Sequence, residues 1–101
     1  MLRKAHLRER VSGLRLSARY NDFSMPRLGI MVPKRQIRLA SERNRVKRLI
    51  RESFRASVPR HLSVDIVVGA NKSVVVQTND EVFRQLANLW LLMEGQLCED
   101  R

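Results

Sequence analysis

The segment from Lys34 to Arg60, KRQIRLASERNRVKRLIRESFRASVPR, constrains the fold most, because one of its faces must be buried and another cannot be. It holds ten of the chain's twenty Lys and Arg and only two acids, Glu42 and Glu52. The spacing predicts a helix over roughly Glu42 to Ser57. Ser41 is the expected N-cap, its hydroxyl accepting from a first-turn amide, and Glu42 suits the positive end of the helix dipole. Pro59 stops the helix, since the residue before a proline is pushed out of the helical region. Val46, Leu49, Ile50 and Phe54 recur at three- and four-residue spacing and form an apolar face. At about 100° per residue, Arg43, Lys47, Arg48, Arg51 and Arg55 fall on a different arc, with Asn44 among them, while Arg45 lies apart beside Glu52. Solvated helix faces usually mix signs at i,i+4 spacing. Here only Arg48 and Glu52 offer such a pair, so the like charges repel unless a polyanion neutralises them.

The rest of the composition points the same way. A net charge of +10 and a pI near 11.4 over 101 residues favour a nucleic-acid partner over a membrane or an acidic protein. No apolar run reaches the 18 residues or more that a membrane-spanning helix needs. The N-terminal MLRKAHLRER has cations without a following apolar run, unlike a secretory signal. Cys98 is the single cysteine, cannot form an internal disulfide, and fits a reducing, cytoplasmic setting.

In chain order, residues 1–12 read as a short basic helix or a disordered terminus. Leu14 to Tyr20 alternates: Leu14, Leu16, Ala18 and Tyr20 point one way, Arg15, Ser17 and Arg19 the other, as in a half-buried strand. After a turn over Asn21 to Pro26, Arg27 to Val32 reads as a second strand, antiparallel to the first. Arg15 and Arg19 either face solvent or add cations to an RNA groove. Val64 to Val68 is a β-branched run expected to be a well-buried strand. Val74 to Val76 should extend or pair briefly. Thr78 and Glu81 form a capping box, and from there Phe83, Leu86, Ala87, Trp90, Met93 and Leu97 keep helical spacing, with Trp90 expected in the core. Residues 95–101 read as a polar tail. The whole, 1–101, is expected to be a single RNA-binding α+β domain with helices on a sheet, in the order strand, strand, helix, strand, helix.

Constellations for catalysis are absent from the sequence pattern. His6 and His61 are isolated, no Cys/His spacing suits zinc, and the four glycines are scattered rather than gathered in a phosphate loop. Asp80/Glu81 and Glu99/Asp100 sit at a helix start and at the tail, where capping and solubility explain them. A DNA-binding helix-turn-helix would need another helix joined by a short turn just before the basic one, and Leu28 to Val32 reads as strand.

Pro26 to Ala70 resembles the protein subunit of bacterial ribonuclease P. The residues that carry the resemblance are PRLGIMVPKR, the RNR signature within ERNRVKRLIRESFR, and DIVVGA. The resemblance implies a two-layer α+β sandwich in which parallel strands flanking the basic helix are joined by a left-handed crossover, against the usual right-handed rule. It implies a subunit of a ribonucleoprotein enzyme, an endoribonuclease that removes the 5′ leader of precursor tRNA. The partners it implies are the catalytic RNA and the precursor tRNA with its leader, with no membrane and no DNA. Magnesium would be bound mainly by the RNA, and no protein side chain would be catalytic. Arg43, Asn44 and Arg45 match the RNR signature, Lys47, Arg48 and Arg51 its continuation, and Lys34 and Arg35 a basic pair before it. Arg55 lies on the same stripe, and Arg15, Arg19 and Lys72 are further candidates for RNA contact. Family members usually carry a longer N-terminal helix with paired phenylalanines. Here about a dozen residues without an aromatic precede Leu14, and the family's Arg-Lys after the buried strand stands as Asn71-Lys72. The alternative reading is a basic ribosomal or other structured-RNA binder with no processing role.

Overall fold

A computed structural model describes residues 6–99. Four strands, β1 (His6–Val11), β2 (Leu14–Tyr20), β3 (Arg27–Met31) and β4 (Val64–Ala70), form one sheet in the order β1-β2-β4-β3. Helix α1 (Ala40–Ser57) lies between β3 and β4 in the chain, and α2 (Asn79–Glu99) follows a short 3-10 helix over Lys72–Val76. Both helices cover one face of the sheet, giving the expected two-layer α+β sandwich.

Alternation sets the sheet's two faces. Leu14, Leu16 and Ala18 of β2 and Val64, Ile66 and Val68 of β4 are buried under the helices. β4 is central because its apolar run can be covered there while both backbone edges find partners: β2 pairs with it antiparallel and β3 parallel. β3 therefore runs antiparallel to β2, as expected, but the two do not pair, because β4 lies between them. The chain leaves β3, crosses through α1 and returns as β4, and such a crossover delivers the next strand parallel.

The helix or disorder expected over residues 1–12 is also corrected for 6–11, while residues 1–5 lie outside the described residues. His6–Val11 is a strand whose Val11 and Leu14 are paired across a two-residue loop. Ser12 takes φ of 52° in that loop, and Gly13 is pressed so close to the 3-10 helix that an added Cβ would lie 2.8 Å from Asn71 Oδ1. At the other end, α2 runs on to Glu99, so 95–99 of the expected polar tail are helical and Leu97 is buried. Residues 100–101 lie outside the described residues.

Helix α1 begins at Ala40, with Leu39 in the N-cap position and no side-chain cap, rather than at Glu42 behind a Ser41 cap. A turn closed by the Gln36 and Ile37 amides on the Pro33 carbonyl buries Ile37, and Leu39 then accepts from the Glu42 and Arg43 amides. Val58, before Pro59, ends the helix as expected. The Val74–Val76 run is not extended: Asn71 Oδ1 accepts from the Ser73 amide at 2.9 Å and Val74 turns into the core. The Thr78–Glu81 capping box forms in both directions, at 2.8 and 3.1 Å. The buried stripe of α2 is Val82, Leu86, Leu89, Trp90, Met93 and Leu97; Ala87 is exposed and Phe83 is half-buried.

The two helices are joined by a buried polar contact that hydrophobic periodicity does not reveal. Trp90 Nε1–H donates to Ser53 Oγ at 2.7 Å, and Trp90 meets Phe54 edge-on with ring centroids 6.1 Å apart. Ser53→Ala should leave that indole N–H without an acceptor and lower stability by about 1–3 kcal/mol. Ser57→Ala, at an exposed position on the same helix, should stay within about 0.5 kcal/mol. Urea denaturation of both variants checks the ranking.

Candidate nucleic-acid interface

Burial of Val46, Leu49, Ile50 and Ser53 fixes how α1 is rotated on the sheet. The arc of Lys47, Arg51 and Arg55 then faces outward past β3, the edge strand. Together with Leu28, Ile30 and Phe54 these cations line an open cleft between α1 and β3. Among the described residues none of the three makes an ion pair. Arg48, further round, reaches Glu52 at 3.6 Å with both side chains about half exposed, a pair worth little in water. Asn44 is exposed in the middle of the arc.

Two members of the arginine signature are engaged inside the fold. Arg43 donates through one guanidinium nitrogen to the carbonyls of Ile37 (3.0 Å) and Arg38 (2.9 Å), fastening the loop that precedes α1. Arg45 lies on the α2 side, with its side chain 20% exposed. Its Nε–H donates to Glu42 Oε1 at 3.1 Å, and its terminal nitrogens donate to Asn79 Oδ1 and to the carbonyls of Val74 (3.3 Å) and Gln77 (3.2 Å). Arg45 thus ties α1 to the 3-10 helix and the start of α2. Sequence spacing placed it beside Glu52; the tertiary partners that engage it were not legible there.

The sheet face away from the helices is also basic. Register puts Arg10 opposite Arg15 and Arg8 opposite Ser17, and Arg15 and Ser17 opposite Gly69 and Val67. Like charges directly opposite across strands are unfavourable, and no acid among the described residues pairs with Arg8, Arg10 or Arg15. Arg35, in the turn after β3, joins Arg10 and Arg15 around a second cleft at the end of the sheet. Lys34 is exposed in the same turn, and the Lys72 amide donates to Gln36 there at 3.3 Å. Arg8 and Arg10 were missed because 6–11 was read as helix or disorder; the alternation of Leu7, Glu9 and Val11 with Arg8 and Arg10 was the signal available.

Arg19 sits at the opposite end of β2, where the field is partly cancelled. Asp65 accepts from Arg27 in a two-pronged contact, 2.8 Å on each oxygen, and from Asn21 at 2.9 Å. The hydrogen bonds from Arg27 and Asn21 pull its pKa down to about 2, and the hydrogen bond to Asp65 in turn raises that of Arg27. Arg27 also stacks over Phe23 at 4.1 Å. The structure therefore gathers the candidates into two basic surfaces, separated by β3: the α1 arc, and the sheet end with Arg10, Arg15 and Arg35. Among the described residues no three His, Cys, Asp or Glu gather into a metal-binding group, and no helix is long and apolar enough to cross a membrane.

Comparison with known proteins places these features in a family. The sequence model described as "Ribonuclease P" matches residues 2–94. The ribonuclease P protein component of Halorhodospira halophila is 47% identical over 88 residues, covering 84% of this chain and 70% of that protein. That of Vibrio cholerae is 48% identical over 77 residues, covering 76% and 65%. Among solved structures, the RNase P protein of Staphylococcus aureus aligns with a TM-score of 0.79 at 26% identity, over 87% of this chain and 81% of its own. The RNase P protein of Thermotoga maritima aligns at 0.72 and 28% identity, over 84% and 81%.

Arg45→Ala and Arg51→Ala should separate structure from surface. Removing Arg45 abandons four hydrogen bonds to a charged group and should cost about 2–3 kcal/mol. Removing the exposed Arg51 should leave stability within about 0.5 kcal/mol, or raise it by relieving repulsion. Thermal melts give the comparison.

Proposed function

The chain belongs to the ribonuclease P protein family, and we propose that it serves as the RNA-binding subunit of ribonuclease P, assisting a catalytic RNA in removing the 5′ leader from precursor tRNA. The observation that carries the reading is the arc of Lys47, Arg51 and Arg55 beside β3, which presents positive charge in a fixed arrangement and makes no ion pair among the described residues. Lys47, Arg48, Arg51 and Arg55, with Asn44, contact structured RNA through phosphates. Lys34, Arg35, Arg10, Arg15 and Lys72 supply a second basic surface around the end of the sheet, where the precursor can lie. Arg43 and Arg45 act mainly by holding α1 in place, and Arg19 contributes to the field near Asp65.

Hydrolysis belongs to the RNA in this reading. Magnesium, bound mainly by that RNA, supplies charge neutralisation and an activated water. The described side chains do not fit a metal site. The protein's own part is electrostatic: its cations lower the repulsion between catalyst and substrate, so that less magnesium is needed. Such a particle works in the cytoplasm. Relatives whose matched segments make up 65–70% of their own length support the subunit role, and a structured-RNA binder without a processing role is the less favoured alternative.

The test joins binding to activity. With four to six phosphates contacted, log K for the catalytic RNA should fall against log salt with a slope of roughly −3 to −5. Lys47→Ala or Arg51→Ala should flatten the slope by about one unit each. Added to bacterial catalytic RNA, the chain should lower the magnesium required for precursor cleavage, while the RNA-free protein should not cleave. Unchanged slopes in both variants would put the RNA on another face.

A further inference from the structure

The cleft between α1 and β3 has a floor that charge neutralisation alone does not need. Its lining alternates in chemistry: Leu28 and Ile30 from β3 and Phe54 from α1 form an apolar base, and Lys47, Arg51 and Arg55 form the rim. All three apolar side chains are half-buried, packed against the core on one side and open on the other. Phe54 is held in one orientation by its edge-on contact with Trp90, itself fixed by Ser53. The cleft encloses about 450 Å³, within the range of ligand clefts. Among the described residues β3 pairs only with β4, so one side of its backbone has no strand partner.

A phosphate surface is satisfied by cations on a solvated helix. A concave apolar patch inside a ring of cations instead matches a group with a flat apolar body and a flanking negative charge. We propose that this cleft takes one unpaired nucleobase of the bound RNA, laid against Leu28, Ile30 and Phe54, with the phosphates on either side of it held by Lys47, Arg51 and Arg55. The proposal rests on the RNA-binding reading given above and adds to it a site for a base. Such a contact accepts any base, because every base has a flat face to present. It also gives the α1 surface a preference for single-stranded or bulged RNA over continuous duplex, whose bases stay stacked.

The experiment uses protein with ¹³C-labelled Ile, Leu, Val and Met methyl groups, titrated with an adenosine decanucleotide and with its abasic ribose-phosphate counterpart. The base-bearing strand should bind roughly 5- to 100-fold tighter and shift the methyl resonances of Leu28 and Ile30; the abasic strand should leave those two in place. Leu28→Ser, checked by melting to be folded, should lose most of the preference for bases and keep the salt slope. Lys47→Ala should do the converse. Tight, base-dependent binding that moves Val67 and Met31 on the opposite sheet face, with Leu28 and Ile30 unmoved, would overturn the site while leaving RNA binding intact. Equal shifts of Leu28 and Ile30 with both strands would also overturn it, because the cleft would then read backbone charge alone. Failure of either strand, and of catalytic RNA, to bind would contradict the RNA-binding reading itself.

Discussion

The hydrogen bond from Trp90 to Ser53 sits in the buried seam between α1 and α2, and together with the burial of Val46, Leu49 and Ile50 it sets the rotation of α1 from which the position of every cation on that helix follows. A buried indole N–H needs an acceptor, and on α1 only a small polar residue on the Val46–Leu49–Ile50 side can provide one without opening a gap. A rotation of α1 by one residue, about 100°, would bring a cation such as Lys47 toward the core. The cost of burying an unpaired charge opposes such a rotation. Hydrophobic packing thus fixes an electrostatic surface.

Placement then divides the cations by role. Arg43 and Arg45, adjacent in sequence to Asn44 and alike in charge to Lys47 and Arg51, spend their donors on backbone carbonyls and on Asn79 and Glu42. Their planar, multi-donor guanidinium suits several acceptors at once, a role lysine's single ammonium fills poorly. Lys47, Arg51 and Arg55 make no ion pair among the described residues, so an approaching phosphate would relieve their mutual repulsion. Asp65 shows the contrast on the sheet: where a carboxylate is present, Arg27 and Asn21 close on it and the local field falls.

Helix α1, strand β2, the capping box of α2 and the burial of Trp90 were legible in the sequence, because each depends on spacing within one segment. What escaped depended on partners distant in the chain. Strand β1 is stabilised by its ladder to β2 and by Leu7 beneath α2, and a stretch with Arg8, Glu9 and Arg10 carries little strand propensity of its own. The parallel pairing of β3 with β4, decided by the crossover through α1, was implied by the family resemblance and not by spacing, and the insertion of β4 between β2 and β3 was not legible. The 3-10 helix overrides the β preference of Val74–Val76 because Asn71 accepts from Ser73 and Val74 fills the core. Of the interface, the α1 stripe could be read from charge and period. The internal engagement of Arg45 could not, since Val74, Gln77 and Asn79 lie about thirty residues away. The basic strand β1 went with the missed element.

The central claim, that α1 presents its cationic arc to RNA, is tested most directly by tethered cleavage. In a Cys98→Ser background, Asn44→Cys places a hydroxyl-radical source in the middle of the arc without removing a charge, and Leu91→Cys places one on the exposed face of α2. In complex with bacterial ribonuclease P RNA, the probe at position 44 should cut the RNA backbone at a few discrete sites, and the probe at 91 should cut it weakly or not at all. Strong, localised cleavage from 91 with none from 44 would contradict the account.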